Sequence, residues 1–462
     1  MDGQRPKTQF ELASPKESRG EAPATTEREG TEPFAANRDT ESLASTERLM
    51  EEVCERDNVK QALQRVRKNK GSPGVDGMSV DALAGHLKEH WSAIREQLLS
   101  GTYRPAPVRR VNIPKPGGGM RALGIPTALD RFIQQAVLQV LQGRWDRTFS
   151  EHSYGFRPGR SAHQAVAQAQ HYAHLGYTWV VDIDLEKFFD RVNHDRLMGR
   201  VAQRVADKRL LRLIRAYLNA GVMEDGLVSP TPEGTPQGGP LSPLLSNLVL
   251  DELDRELEKR GHRFVRYADD CNIYVRSERS GRRVMESVKS FIARKLNLKV
   301  NDSKSAVARP QERKFLGFSL GYGSKLKRHI APQALERFKR RVRDLTRRAR
   351  GVSLEQRVKD LTHYLQGWGQ YFGFCETPSV LGQLDSWVRR RLRSALWRQW
   401  RTGRTRYAEL RKRGVRDELA AAAAGSGHGP WRLGHSRVMS IALSEAQLAS
   451  LGLPSLAARR MN

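Results

Sequence analysis

The stretch FVRYADDCNIYV, residues 264–275, decides the fold. Its alternation reads as a strand, a tight reversal through Tyr267, Ala268, Asp269 and Asp270, and a second strand. Both flanks are rich in β-branched and aromatic residues, as strands prefer. Asp269 and Asp270 sit between apolar flanks, where unpaired carboxylates are costly to bury. Two adjacent acids on a rigid hairpin tip can share a pair of Mg2+ ions, hard cations that favour carboxylate oxygen. Asp is also common in turns for purely local reasons, so the dipeptide alone does not decide. Its company does.

Upstream, WVVDIDLEKFFD at 179–190 reads as a buried strand over 179–185 into which acids have been placed. Strand alternation puts Asp182 and Asp184 on one face, and periodicity cannot choose between them as a metal ligand. Either could instead pair with one of the many arginines. Phe188 and Phe189 read as core residues, and 191–205 as a helix. GTPQGGPLSP, 234–243, is a glycine-proline loop opening into a helix over 244–257; Gln237 and its glycines let backbone approach a ligand closely. A strand-like 296–300 precedes Ser303, Lys304 and the run FLGF.

Nearer the N-terminus, YRPAPVRRVNIPKPGGGMRALGIP, 103–126, reads as two extended segments around a flexible tip. Lys115 and Arg121 flank its proline and glycines. A glycine-rich reversal exposes backbone N–H groups, so two cations beside it suit a triphosphate, although a basic hairpin tip is more often solvated surface. The spacing is not that of a Walker P-loop. A helix over 130–145 follows, with Phe132, Ala136, Val137, Val140 and Leu141 inward. SYGFRPGRS, 153–161, is a basic aromatic turn whose Arg157 and Arg160 suit a phosphate backbone.

The chain has 462 residues, too many for one core, with 80 Lys and Arg against 51 Asp and Glu. The formal charge of +29 implies a polyanionic partner, most readily nucleic acid. No long apolar run or charged-then-apolar leader supports a membrane alternative. Cys54, Cys271 and Cys375 lie far apart and make no disulfide or zinc framework, which fits a reducing cytoplasm. Residues 1–45 are polar, acidic and poor in large apolar side chains, and are expected to be disordered. Order is expected near Leu49, with a helical stripe through Val53, Val59, Leu63 and Val66 that ends in KNKGSPGVDG, 68–77.

The C-terminal third reads as three helices, 332–350, 354–372 and 380–400, each with one apolar stripe and Arg- and Lys-rich remaining faces. Arg389, Arg390 and Arg393 lie on the third. By charge this unit faces nucleic acid, and its tryptophans are expected in the core. The tail beyond 402 is basic, alanine- and glycine-rich, and reads equally as flexible surface or a DNA- or RNA-contacting segment.

Taken in order, GSPGVDG, IPKPGGGMRALGIP, SYGFRPGRS, VVDIDLEKFFD, PQGGPLSP, RYADD, NDSKS and KFLGF resemble the reverse-transcriptase blocks of bacterial group II intron-encoded proteins. LTHYLQGWGQYFGF and DSWVRRRLRSALWRQW resemble the maturase-specific domain X. The resemblance covers roughly residues 50–400, and the tail has no His/Asn nuclease motif with Cys pairs. It implies an α+β, right-hand polymerase: fingers and palm over 46–324, a helical thumb/maturase domain over 325–402, and a tail over 403–462. Asp184 matches the first metal-binding aspartate of the family; Asp269 and Asp270 match the other two. Lys115 and Arg121 match the triphosphate contacts, Gln237 the loop beside the incoming nucleotide, and Phe189 the bulky residue under its sugar. Lys304 matches a lysine suggested to protonate pyrophosphate. The implied cofactor is Mg2+, with Mn2+ as a substitute. The implied partners are group II intron RNA, an RNA template, a DNA primer or target and dNTPs, in a cytoplasmic ribonucleoprotein. Two alternatives share these motifs: a reverse transcriptase recruited to host defence or DNA repair, and a splicing cofactor with little polymerase activity. The intact acid triad argues against the latter.

Overall fold

The computed structural model describes residues 43–114, 119–224, 227–229, 233–234, 238–322, 325–347 and 351–458. The expected acidic extension lies outside these residues except for its last three, which begin a short turn of 3-10 helix, Leu43–Thr46. Lys115 and Gln237 also lie outside them.

Ten strands occur in the described chain: β1 (Val108–Pro114), β2 (Met120–Ile125), β3 (Trp179–Ile183), β4 (Val222–Glu224), β5 (Leu227–Ser229), β6 (Arg263–Tyr267), β7 (Asp270–Val275), β8 (Ala306–Ala308), β9 (Phe318–Leu320) and β10 (Arg328–Ile330). They form a sheet ordered β2-β1-β4-β5, a central sheet ordered β6-β7-β3-β8, and the pair β10-β9. In the central sheet β7 runs antiparallel to both neighbours, with Tyr267 opposite Asp270 on β6 and Asp182 opposite Asn272 on β3.

Side-chain alternation across this sheet divides the apolar interior in two. Val181, Ile183, Phe264, Cys271, Ile273 and Val275 join one core, with the helices Ala128–Trp145 and Ser242–Lys259. Val180, Val265 and Tyr274 join the other, with the helix Ala162–His174 and the C-terminal helices. Each strand residue thus serves the opposite core from its neighbour.

The helix Leu354–Phe372 has the expected bounds, capped where the Ser353 hydroxyl accepts from the Gln356 amide. The helix beginning at Pro332 stops at Leu345, and the third runs Pro378–Gln399. Three other expectations change. The N-terminal stripe is divided into helices Leu49–Val53 and Arg56–Lys68 by a break at Cys54 and Glu55. The helix after Phe189 starts only at His194, because Asn193 caps it. Residues 296–300 are not a strand: Ile292–Leu296 is a π-helical turn, and only Val300 bridges, to Leu185.

The tail is a folded part of the second core. Short helices Gly403–Lys412, Asp417–Ala424, Pro430–Leu433, Arg437–Ala442 and Glu445–Ser450 bury Leu410, Met439, Leu448 and, just beyond them, Leu456. Asp385 fastens its far end, accepting from the Ser455 hydroxyl and the amides of Leu456 and Ala457 at 2.8–3.0 Å. Among the described residues no helix is long and apolar enough to cross a membrane.

Candidate active site

The hairpin between β6 and β7 leaves Ala268 and Asp269 as a two-residue reversal. Ala268 has φ +57°, a left-handed conformation that a residue with a Cβ adopts at a cost of about 1–3 kcal/mol. Surrounding groups over-determine it. Arg266 is fully buried, and all five of its guanidinium N–H groups are used. They reach both carboxylate oxygens of Asp254 (2.7 and 2.5 Å), Asn247 Oδ1 (3.0 Å), Ser153 Oγ (2.7 Å) and the Ala268 carbonyl (2.9 Å). On the other side, Gly155 lies so close that a Cβ there would collide with the Ala268 backbone nitrogen. Asn247 Nδ2 donates to the Gly155 carbonyl at 2.9 Å, closing the ring of interactions.

Continuing the β3–β7 register two residues beyond Asp182 and Asn272 sets Asp184 opposite Asp270. Asp182 is already neutralised: Arg313 donates to its Oδ2 through Nε at 2.8 Å and Nη2 at 2.5 Å. Burial pushes the Asp182 carboxyl up, and the Arg313 guanidinium opposes that rise. The Asp184 side chain is 43% exposed, with the Lys304 ammonium 3.9 Å from Oδ1. Ser305 and Asn301 bond the Asp184 backbone at 3.0 and 2.8 Å, which holds Lys304 there. The structure therefore separates the two acids that alternation could not.

Asp270 is pushed up to about 8, first by burial and then by the carboxylates of Asp182, Asp269 and Asp184. Among the described residues no three acidic, His or Cys side chains converge closely enough to grip a metal ion as they stand. The donor chemistry fits a hard divalent cation nonetheless. The acids are oxygen donors whose mutual repulsion at Asp270 is opposed only in part by Arg313, and a cation between them would relieve it.

Beside the tip opens a cavity of ≈ 680 Å3 lined by Asp269, Phe189, Arg121, Arg131, Gly71 and Gly238 among others. Three residues singled out from sequence thus meet there. Phe189 is partly buried, packed edge-on to Phe188, and its carbonyl lies where a Cβ on Gly234 would fall. Arg131 was not expected in this setting. Its Nε and Nη2 are buried without a hydrogen-bond partner among the described residues, so the wall of the cavity carries a cation with donors to spare.

The arginines expected to face nucleic acid divide differently. Arg157 is buried: it binds Asp146 at 2.9 Å and donates to the Ser150, Ser153 and Asp146 carbonyls, so it builds the turn beside Gly155. Arg160 is partly exposed and lies over Tyr154. Arg389 pairs with Glu445, Arg390 covers the Trp431 ring, and buried Arg393 donates to the Leu443 carbonyl. Those three fasten the tail. Exposed cations of the helical unit include Arg337, Arg340 and Arg341 on Pro332–Leu345.

The site thus combines an acid-tipped hairpin, a strand carrying acids opposite it and a cationic cavity alongside. Residues 113–320 match the family described as reverse transcriptase (RNA-dependent DNA polymerase). Residues 335–414 match the group II intron maturase-specific domain. The chain thus carries a reverse-transcriptase match followed by a group II intron maturase match. Over 227 residues it is 39% identical to the protein YkfC of Escherichia coli (strain K12), covering 48% of this chain and 60% of that protein. Over 325 residues it is 31% identical to the group II intron-encoded protein LtrA of Lactococcus lactis subsp. cremoris, covering 56% and 54%. The chain thus matches somewhat over half the length of these relatives. A solved telomerase from Candida albicans, in complex with a fragment of telomeric RNA, aligns over 78% of this chain and 65% of its own. Its identity is 13% and its TM-score 0.45.

Proposed function

We propose that this protein is an RNA-directed DNA polymerase that also binds group II intron RNA to assist splicing and mobility. The observation that carries the reading is the meeting of Asp269, which lines a cavity with Arg121 and Arg131, and Asp270, a carboxyl pushed up to about 8 by burial and then by three neighbouring acids. Asp184, Asp269 and Asp270 would hold two Mg2+, or Mn2+ in their place. Bound there, such cations would supply activation of a hydroxyl nucleophile and charge neutralisation at the departing phosphates.

The chain's own groups supply the rest. Arg121 and Arg131 line the cavity that would take the incoming triphosphate. We assign nucleotide binding also to Lys115 and Gln237, which lie outside the described residues. Lys304 stands beside Asp184, where its ammonium can reach the leaving phosphates. Asp182, occupied by Arg313, positions rather than ligates. We assign the fingers and palm to 46–324, the thumb and maturase domain to 325–402, and the tail to its support. The RNA-facing cations would be Arg160 and the exposed Arg337, Arg340 and Arg341. Intron RNA, an RNA template, a DNA primer or target and dNTPs are the partners of a cytoplasmic ribonucleoprotein.

The test is extension of a DNA primer on an RNA template with dNTPs and Mg2+. Products of template length are expected; none at any Mg2+ or Mn2+ concentration would end the reading. Sugar choice checks the cavity separately. With Phe189 beneath the incoming ribose, Phe189→Ala should raise ribonucleotide use relative to deoxyribonucleotides roughly 5–150-fold, as loss of ~1–3 kcal/mol of discrimination implies. An unchanged ratio of kcat/KM values would make Phe189 a core residue only.

A further inference from the structure

At the end of the central strands farthest from the acid tip lies a second basic pocket. β6 begins there at Arg263 and β7 ends there at Val275. Five residue steps along β7 separate it from Asp270, roughly 17 Å at about 3.3 Å per step. The pocket measures ≈ 550 Å3, and Arg260, His262, Arg263, Arg276 and Arg283 line it without a single carboxylate. Arg260 is committed, to Glu256 at 2.8 Å and the Ser287 hydroxyl at 2.9 Å. Arg263, Arg276 and Arg283 have no acidic partner among the described residues and are exposed.

We propose that this pocket is a second RNA site, which grips a phosphodiester backbone through Arg263, Arg276 and Arg283 while the polymerase cleft remains open. The inference rests on the reading of the protein as one that handles RNA.

Four features identify the ligand. Unpaired arginines around a concave surface create a potential that selects polyanions, and their forked donors match phosphate oxygens. The hydroxyls of Ser280, Ser287 and Tyr177 line the same pocket. Arg263 and Arg276 hold the Tyr177 hydroxyl below its ordinary range, mainly through the hydrogen bond from Arg263, so the site already favours negative charge on its own phenol. The Tyr177 ring is covered by Arg276, 5.3 Å from its centroid, which occupies a face on which a base could have stacked. A surface of this kind touches backbone and not base edges, and binds without regard to sequence.

The experiment uses full-length protein whose cleft is filled with an RNA template annealed to a dideoxy-terminated DNA primer. A fluorescein-labelled, 20-nucleotide single-stranded RNA is the probe, titrated at several salt concentrations. The wild type should bind it. Arg263→Gln/Arg276→Gln/Arg283→Gln should bind about tenfold more weakly, with a salt slope shallower by roughly 0.7 for each phosphate no longer neutralised. Primer extension should be unchanged, which also certifies the fold. Arg283→Glu, on the exposed face of the helix Glu278–Phe291, gives the same answer without touching a strand. Equal probe binding by both variants and the wild type overturns the proposal. So does polyglutamate of matched charge binding as tightly as the RNA, which would make the pocket a general anion site. Failure of primer extension in the wild type would sink the polymerase reading, and it is read in a separate assay from probe binding.

Discussion

Asp270→Ala should make no detectable cDNA and still bind RNA as tightly as the wild type. Catalysis needs acids at one point, whereas RNA affinity is spread over cations distant from that point. Loss of the proposed metal ligand would remove several kcal/mol of transition-state stabilisation, so extension should fall on the order of 10^3-fold or more. Assisted splicing, which calls on no carboxylate, should persist. Residual extension within tenfold of wild type would remove Asp270 from the metal site.

The same residue predicts a pH effect. Its carboxyl is pushed up to about 8, chiefly by burial, well above an unfolded Asp. The native state therefore binds this proton more tightly, and the stability it contributes is complete below about pH 4 and lost as pH rises through 8. Asp270→Asn keeps the shape and removes the titration. Without divalent cations, its melting temperature should fall less than that of the wild type between pH 6 and 9, and Mg2+ should stabilise the wild type more at pH 9 than at pH 6. Parallel melting profiles would show that burial does not raise this carboxyl.

Arg266→Met should be the most destabilising single change near the site. It leaves Asp254, fully buried, as an unpaired charge, at a cost of about 3–5 kcal/mol. Arg266→Met/Asp254→Leu removes both charges and should recover most of the lost melting temperature. It should not recover extension, because the Ala268 carbonyl loses its donor and the left-handed turn is no longer over-determined. The loss should fall on kcat and on Mg2+ dependence rather than on primer–template affinity. If the double variant regains both stability and extension, the network is structural and does not aim the acids.

What could be read from the chain was the local chemistry. Alternation around Asp269 and Asp270 gives the hairpin, and the stripe from Leu354 to Trp368 gives its helix. What could not be read depends on residues distant in sequence. Arg266 lies inside the stretch that decides the fold, yet its partners are Asp254 and Asn247 on a preceding helix and Ser153 over a hundred residues upstream. A charged residue within an apolar strand was the available signal. Asp182 and Asp184 share a face, and only Arg313, 131 residues from Asp182, tells them apart. The tail failed differently. Its helices are four to ten residues long with few large apolar positions, so periodicity had little to register. Arg389, Arg390 and Arg393, expected on RNA, instead hold that tail, since charge alone does not say which way a guanidinium points.

The division of the interior by β7 sets limits on how this sequence can vary. Ile273 faces one core and Tyr274 the other, while Asp270 shares its face with Asn272. Substitutions that conserve volume are absorbed by one side at a time. A single inserted or deleted residue is another matter: it exchanges the occupants of both interiors at once and turns the acid away from Asp184. Variation among working versions of this strand should therefore be in spelling and never in length.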